Sequence, residues 1–169
     1  MKRISLIIGV LAIFFSATTV AQGDIVEVAA SSEDHTTLVA AVKAADLVST
    51  LKGEGPFTVF APTNTAFDSL PDGTLASLLK PEAKTKLSAI LTYHVVAGNF
   101  SAADVIEAIK ENGGNFSIST VGGGSLNAKI KDGKVVLIDE NGGMATVTTA
   151  DLTASNGTIH VIDAVVLPK

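Results

Sequence analysis

FTVFAPTNTAF, residues 57–67, is the segment that decides the predicted fold. In its first half the apolar residues Phe57, Val59 and Ala61 recur at every second position, which predicts a β-strand. Pro62 ends that strand, and Thr63 or Asn64 can cap a helix that begins immediately afterwards. The segment therefore predicts a sharp turn from a strand into a helix.

Three phenylalanines fall within this segment, at Phe57, Phe60 and Phe67. Burial of one such ring stabilises a fold by about 1.5–3 kcal/mol. We therefore expect Phe57 or Phe60, together with Phe67, in the core. Thr63 and Asn64 then brace the turn, so the predicted role of the segment is architectural.

The first residues have the layout of a secretory signal peptide. Lys2 and Arg3 precede an apolar run over residues 4–15, and small residues lead to Ala21. This layout predicts cleavage after Ala21, with a signal peptide over residues 1–21 and a single domain over residues 22–169. The apolar run is too short to span a bilayer comfortably. We expect an exported protein, periplasmic or extracellular, with no membrane insertion of the mature chain.

Charge and composition exclude several classes of function. Without Lys2 and Arg3 the chain keeps 10 basic and 17 acidic residues, a net charge of about −7, and it contains no cysteine. Such a balance disfavours nucleic acids and anionic membrane surfaces as partners and favours neutral or basic ones. The lack of cysteine excludes disulfides and thiol nucleophiles. We expect a monomer without a cofactor or metal.

Helical periodicity dominates the first two thirds of the chain. Apolar spacing predicts a short helix capped by Asp24, a longer one from about Thr36 to Ala45, a separate turn over residues 47–51, and a helix that starts near Pro81. Ser101 and Asp104 have the spacing of a capping box for a further helix.

Strand periodicity begins at residues 92–96, where β-branched and aromatic residues predict a strand. After Phe116, Asp132-Gly133 predicts a two-residue hairpin in which Ile130 faces Val135. Further strands are predicted over residues 145–149 and 158–167. Helices followed by strands indicate an α+β domain.

The histidines are the candidates for catalysis or metal binding. His35 lies in a polar segment and is predicted to be solvated, whereas His94 and His160 fall in predicted strands. Successive strand side chains point to opposite faces, so His160 and Asp163 should not form a catalytic pair. Asp139 and Glu140 have calcium-binding oxygens but lack the spacing of a calcium loop, which favours a solvated turn.

Three segments resemble the fasciclin-like (FAS1) domain family. Residues 57–67 are similar to its first signature, residues 91–96 to its Tyr-His motif, and residues 156–168, which include Asn156, Gly157, His160 and Asp163, to its second signature. Their order and spacing also match. The resemblance implies an α+β fold with a wedge-shaped β-sandwich and a layer of short helices.

The same resemblance implies adhesion or matrix interaction and points to Tyr93 and His94 as a recognition or structural motif. Apolar neighbours lead us to expect His94 buried and hydrogen-bonded. The first hypothesis is a non-catalytic module that binds a protein or a surface polysaccharide. The alternatives are a carrier of a small apolar ligand between helices and sheet, and a hydrolase that uses His94 or His160.

Overall fold

A computed structural model describes residues 23–169. The predicted signal peptide lies outside these residues. The α-helices of the described part are α1 (Ile25–Ala30), α2 (Thr36–Ala44), α3 (Val48–Leu51), α4 (Asn64–Asp68), α5 (Thr74–Leu78), α6 (Lys84–Tyr93) and α7 (Ala102–Glu111). The strands are β1 (Phe57–Pro62), β2 (Val95–Ala97), β3 (Phe116–Ser119), β4 (Ser125–Lys131), β5 (Lys134–Ile138), β6 (Met144–Ala154) and β7 (Gly157–Ile162).

The strands form a sheet in the order β2-β1-β7-β6-β5-β4-β3. Strand β1 runs parallel to β7 and antiparallel to β2. The long strand β6 pairs with β5 through its first residues and with β7 through the rest, and the pairing with β7 has register shifts between Val147 and Leu152. A bridge between Val96 and Thr120 brings the two ends of the sheet together. The sheet therefore bends at β6 and folds back on itself, and helices cover it, as the predicted α+β class requires.

Strand β1 separates two hydrophobic cores. Val59 and Ala61 belong to a core that β1 shares with helices α1, α2 and α6. Phe60 points the other way, into a core that contains Val105 of α7 and Leu137 of β5. The predicted alternation is correct, but both faces of the strand are buried.

The predicted strand-to-helix turn is confirmed. Phe60 and Phe67 are 1% and 4% exposed, and Phe57 is half-buried. The side chain of Thr63 accepts a hydrogen bond from the Ala66 N–H and so caps α4. The proline at the end of β1 gives no N–H to the sheet, which suits the point where the strand stops.

Other local predictions are also confirmed. Asp24 caps α1, and Ser101 and Asp104 form both halves of the capping box of α7. In the hairpin at Asp132-Gly133, Ile130 pairs with Val135 as expected.

Three predicted strands have the wrong bounds, and one of them, expected over residues 145–149, extends over Met144–Ala154. The strand expected over residues 92–96 covers only Val95–Ala97, because α6 continues through Tyr93. Thr92 is accommodated in the helix since its hydroxyl donates to the carbonyls of Ser88 and Ala89. The strand expected over residues 158–167 ends at Ile162, and the final residues run outside the sheet.

Candidate functional site

His94 lies at the carboxyl end of α6, where the helix gives way to β2, and not within a strand. Its side chain is 2% exposed, and its Nδ1 lies 2.8 Å from the Ile90 carbonyl oxygen. The Val166 N–H donates to Nε2 over 3.2 Å. A main-chain N–H can only donate, so these partners assign the proton of the neutral ring to Nδ1. His94 is thus buried and hydrogen-bonded, as the sequence predicts.

Burial lowers the pKa of His94 to about 4, because a charged imidazolium is poorly solvated there. The Ile90 carbonyl and the negative charge of Asp139 oppose this shift without cancelling it. The ring is therefore neutral at neutral pH, and both of its nitrogens are engaged by the backbone.

Tyr93 is also buried, with 1% of its surface exposed. Its hydroxyl donates to the Ser125 carbonyl over 2.7 Å and accepts from the Glu140 N–H over 3.3 Å. Burial raises the pKa of the phenol, and the charges of Glu140 and Asp139 act in the same direction. Tyr93 and His94 are thus both buried, and the polar atoms of both side chains bond to the backbone.

His160 lies in β7, where the sequence predicts it. The ring stacks on Phe60 with 5.7 Å between centroids. Its Nε2 lies 2.8 Å from the Phe100 carbonyl oxygen, and its Nδ1 accepts from the Asp151 N–H over 3.3 Å. Asp163 instead accepts from the Thr146 N–H. His160 and Asp163 thus have separate partners, and the structure does not bring them together as a catalytic pair.

Asn156 ties the second signature to the helical layer. Its amide donates to the carbonyls of Leu51 and Gly53, and its carbonyl oxygen accepts from the Ile25 N–H. Gly157 follows it at the start of β7, where an added Cβ would collide with the Phe57 carbonyl of the parallel strand. Both residues therefore hold the fold.

Asn64 has a similar role in the first signature. Its oxygen accepts from the Thr37 N–H over 3.0 Å and from the Thr36 hydroxyl over 3.2 Å. Its amide donates to the Glu33 carbonyl. The residue therefore joins the turn after β1 to the start of α2, while the adjacent Thr63 caps α4.

Asp139 corrects the prediction of a solvated turn. It is 6% exposed, and its Oδ1 accepts from the N–H groups of Asn141 and Gly143. Its Oδ2 accepts from the Leu167 N–H over 3.0 Å. An aspartate followed closely by Asn-Gly is typical of a turn in which the carboxylate bonds the backbone two residues on. That signal could have identified the turn, but the bond to Leu167 spans 28 residues and has no local signature.

His35 corrects a second prediction. It is 4% exposed, not solvated, because it lies in a short 3-10 helix packed at the start of α2. Neither ring nitrogen has a hydrogen-bond partner within the described residues. Burial lowers the pKa of His35, while the charge of Asp34 and the Ala61 backbone act in the opposite direction.

An apolar pocket lies between the helical layer and the sheet. Its lining comes from α1, α2, α3, β1, β7 and the junction of α6 and β2, with Val121 on the loop after β3. The interior of the pocket has a volume of about 40 Å³. The volume that includes the open mouth is about 710 Å³. His35 does not line it. His94 does, although its nitrogens are bonded to the backbone.

Residues 23–169 contain neither a candidate metal centre nor a candidate membrane span. No group of three or more His, Cys, Asp or Glu residues in this part of the chain could hold a metal ion. No helix of the same part is long and apolar enough to cross a bilayer.

Comparisons with known proteins agree with this architecture. The family model described as "Fasciclin domain" matches residues 33–168. Protein sll1483 of Synechocystis is 54% identical over 157 residues, which cover 93% of this chain and 80% of that protein. A second Synechocystis protein, sll1735, is 45% identical over 85% of this chain and 97% of its own length.

A solved structure shows the same fold. It is a FAS1 domain pair from the insect cell adhesion molecule Fasciclin I, and it matches with a TM-score of 0.76 at 20% sequence identity. The match covers 86% of this chain and 51% of the insect chain.

Proposed function

This chain belongs to the fasciclin family, and on that premise we propose that it is an exported, non-catalytic interaction module that binds a protein or a polysaccharide of a cell surface or matrix. The hydrogen bonding and burial of the two signature histidines, His94 and His160, are the main support for this proposal. All four ring nitrogens of His94 and His160 contact main-chain groups at hydrogen-bonding distance. Each ring is only 2% exposed. A general base needs a nitrogen within reach of the substrate proton, and these nitrogens are already engaged.

The remaining signature residues support the same interpretation. Thr63, Asn64 and Asn156 direct their side chains at backbone groups of neighbouring segments. A domain whose polar motif residues stabilise its own backbone can serve as a rigid scaffold for a binding surface. The insect protein of the same fold is described as a cell adhesion molecule. Binding then depends on exposed residues outside the signatures.

Retention on the native cell surface tests this proposal. Fluorescently labelled protein is added to cells of the source organism from which the gene has been deleted, and bound label is measured with and without an excess of unlabelled protein. We expect saturable retention that the unlabelled protein displaces. A His160→Gln variant that remains folded should be retained equally well. Retention no greater than that of an unrelated acidic protein of the same size would contradict the proposal.

The apolar pocket favours a second candidate function, the carriage of a hydrocarbon ligand. The residues that line the pocket are apolar except for Thr50, Thr92 and His94. The hydroxyl of Thr92, which lines the pocket, donates to helix carbonyls, and the His94 ring is bonded to the backbone. A buried polar ligand group would thus remain without a partner, at a cost of about 1–3 kcal/mol. The pocket is suited only to an apolar chain.

Native mass spectrometry of protein purified from its source organism tests this candidate. We expect a retained apolar ligand and binding of the uncharged fluorophore N-phenyl-1-naphthylamine. Val121, 45% exposed, contributes to the pocket lining, so Val121→Asp should weaken binding of the fluorophore. Met144→Asp is the matched control, since Met144 is 57% exposed and does not line the pocket. No retained ligand, or equal effects of both substitutions, would exclude a carrier role.

A further inference from the structure

The outer face of strands β3 to β6 carries three lysines that the hairpin brings together. Residues directly opposite each other in an antiparallel pair project from the same side of a sheet. Lys131 pairs with Lys134, and Lys129 pairs with Val136. The three lysines therefore share one face, although in the sequence they are separated by other residues. All three are exposed.

Hydrogen-bonding and apolar side chains share this face, since Val136, Ile138 and Met144 lie on the same side as the lysines. Ser117 pairs with Asn127, and Thr146 pairs with Val136, so these residues project from the same side as the lysines. The opposite side is the core, where Ala128, Leu137 and Ala145 are fully buried. We call the set Ser117, Asn127, Lys129, Lys131, Lys134 and Thr146 the lysine face.

The positive charge of the lysine face is not neutralised by salt bridges. Within residues 23–169, none of the three lysines forms a salt bridge. Asp132 lies in the turn between them, and Asp163 bonds the Thr146 N–H at the far margin. These two carboxylates leave the lysines in excess. The remainder of the mature chain is acidic, so this face is a local exception to its net charge.

Stability does not explain the arrangement. Like charges directly opposite each other on neighbouring strands are destabilising, and Lys131 and Lys134 are such a pair. Lysines often protect exposed sheet edges, and the end of this hairpin has such edges, because β3 pairs with β4 only as far as Ala128 and β6 pairs with β5 only from Val136 onward. Edge protection does not require two lysines directly opposite each other, whereas an acidic ligand offsets the repulsion between Lys131 and Lys134.

We propose that the lysine face binds an acidic polysaccharide, and is thereby the partner-binding surface of the interaction module proposed above, on which this inference rests. Carboxylate or sulfate groups of the polymer bind the lysines. Sugar hydroxyls bind the side chains of Ser117, Asn127 and Thr146. The overall acidity of the chain favours neutral or basic partners, but the lysine face allows a narrow anionic chain to bind locally.

Charge and side-chain chemistry favour a polysaccharide over other polyanions. Electrostatic forces are screened beyond about 8–10 Å at physiological salt, so a single flexible polymer interacts with the lysine face alone. A membrane surface or a nucleic acid duplex is broader and would also meet the acidic remainder of the domain. Single-stranded nucleic acids are bound by stacking on aromatic rings, and the described residues on this side of β3 to β6 include none.

Binding of the purified protein to alginate, a polyuronate, tests the inference, with neutral dextran, duplex DNA and phosphatidylglycerol vesicles as comparison ligands. The variant Lys129→Gln/Lys131→Gln/Lys134→Gln should bind alginate about tenfold more weakly than the parent protein, because three exposed ion pairs are lost. Added salt should weaken the binding of the parent protein more than that of the variant.

The matched control is Lys43→Gln/Lys80→Gln/Lys86→Gln. These three lysines are exposed, form no salt bridge within the described residues and lie outside the lysine face. The control removes the same charge, so we expect its alginate affinity to stay within about twofold of the parent. Thermal unfolding verifies that each variant is folded, and single Lys129→Gln and Lys134→Gln substitutions provide smaller, additive effects if the triple variant does not fold.

Several results would overturn the inference. These are absence of alginate binding, equal losses in both triple variants, equal binding of dextran, or binding of DNA or vesicles as tight as that of alginate. Failure of the inference is distinguishable from failure of the proposed function. Cell-surface retention that is unaffected by the lysine substitutions contradicts only the lysine face, whereas absence of retention for the parent protein contradicts the interaction module itself.

Discussion

The Nε2 atom of His94 accepts a hydrogen bond from the N–H of Val166, a residue 72 positions further along the chain. Next to it, the Leu167 N–H donates to Asp139, and the Asn141 amide donates to the carbonyls of Leu167 and Pro168. The final segment is thus held by side chains from the end of α6 and from the turn between β5 and β6. His94 connects the helical layer to the carboxyl-terminal segment.

Substitution of His94 by alanine should destabilise the domain. It leaves the Val166 N–H and the Ile90 carbonyl without their partner in a buried site, so we expect a loss of at least about 1–3 kcal/mol in the free energy of unfolding. Urea denaturation measures the loss. Thr85→Ala on the exposed side of the same helix is the control. An unchanged midpoint for His94→Ala would refute the structural role of this ring.

Stability should depend on pH through His94. The pKa of His94 is about 4 in the folded domain, and that of an unfolded histidine is 6.5. The unfolded chain therefore binds more protons between these values, so stability is fully present above pH 6.5 and falls as the pH drops towards 4. The loss attributable to His94 is of the order of 3 kcal/mol.

The variant His94→Gln isolates this contribution. Burial lowers the pKa of His35 as well, so part of the pH dependence in this range remains in the variant. Asp24 and Asp104 have lowered pKa values, and their contribution is lost only at still lower pH. Denaturation curves across the range should show a shallower slope for the variant. Parallel slopes would mean that His94 keeps its ordinary pKa in the folded state.

Substitution of Asp139 by asparagine should loosen the carboxyl-terminal segment. The amide that replaces one oxygen cannot accept from both the Leu167 N–H and the turn amides, and hydrogen bonds to a charged group contribute about 1.5–3 kcal/mol. We expect faster hydrogen exchange at Leu167 or Gly143. Asp132→Asn, in an exposed turn, is the control. Unchanged protection of both amides would contradict the assignment of these bonds.

Substitution of Gly157 by alanine should severely destabilise the domain. The added methyl group would meet the Phe57 carbonyl of β1, and a backbone atom in a paired strand cannot move aside cheaply. Gly53→Ala is a milder comparison, because its new Cβ would lie 3.1 Å from the Thr50 carbonyl oxygen. Expression and thermal unfolding of both variants measure the difference. Equal stability of the two would show that β1 and β7 are less closely packed than described.

Local chemistry accounts for the parts of the fold that the sequence predicts well. Thr63 caps α4 by accepting a hydrogen bond from the N–H of Ala66, three residues further on. Asp132-Gly133 determines the hairpin register within a few positions. These interactions are complete within a short window. The family resemblance added the overall architecture, which the structure confirms.

The failures involve contacts between distant segments. At residues 92–96 the β propensity is outweighed by packing of α6, whose buried Leu87 and Ile90 extend the helical stripe. His35 is buried by the elements around it, although its neighbours in the sequence are polar. The hairpin register places Lys131 opposite Lys134, but the pairing of β3 and β6 that adds Ser117 and Thr146 to the lysine face has no local signal.

Capture from the native cell surface tests the central claim most directly. The parent protein, the lysine-face triple variant, the control lysine triple variant and a folded His160→Gln variant are immobilised and exposed to extracts of the native cell envelope, and captured polysaccharide and protein are quantified. We expect the parent, the control and His160→Gln to capture the same acidic polysaccharide, and the lysine-face variant to lose most of it. The contrary result is loss of capture in a folded His160→Gln variant while the lysine-face variant still captures the polysaccharide. That result would contradict the claim that signature residues build the scaffold and exposed residues bind the partner.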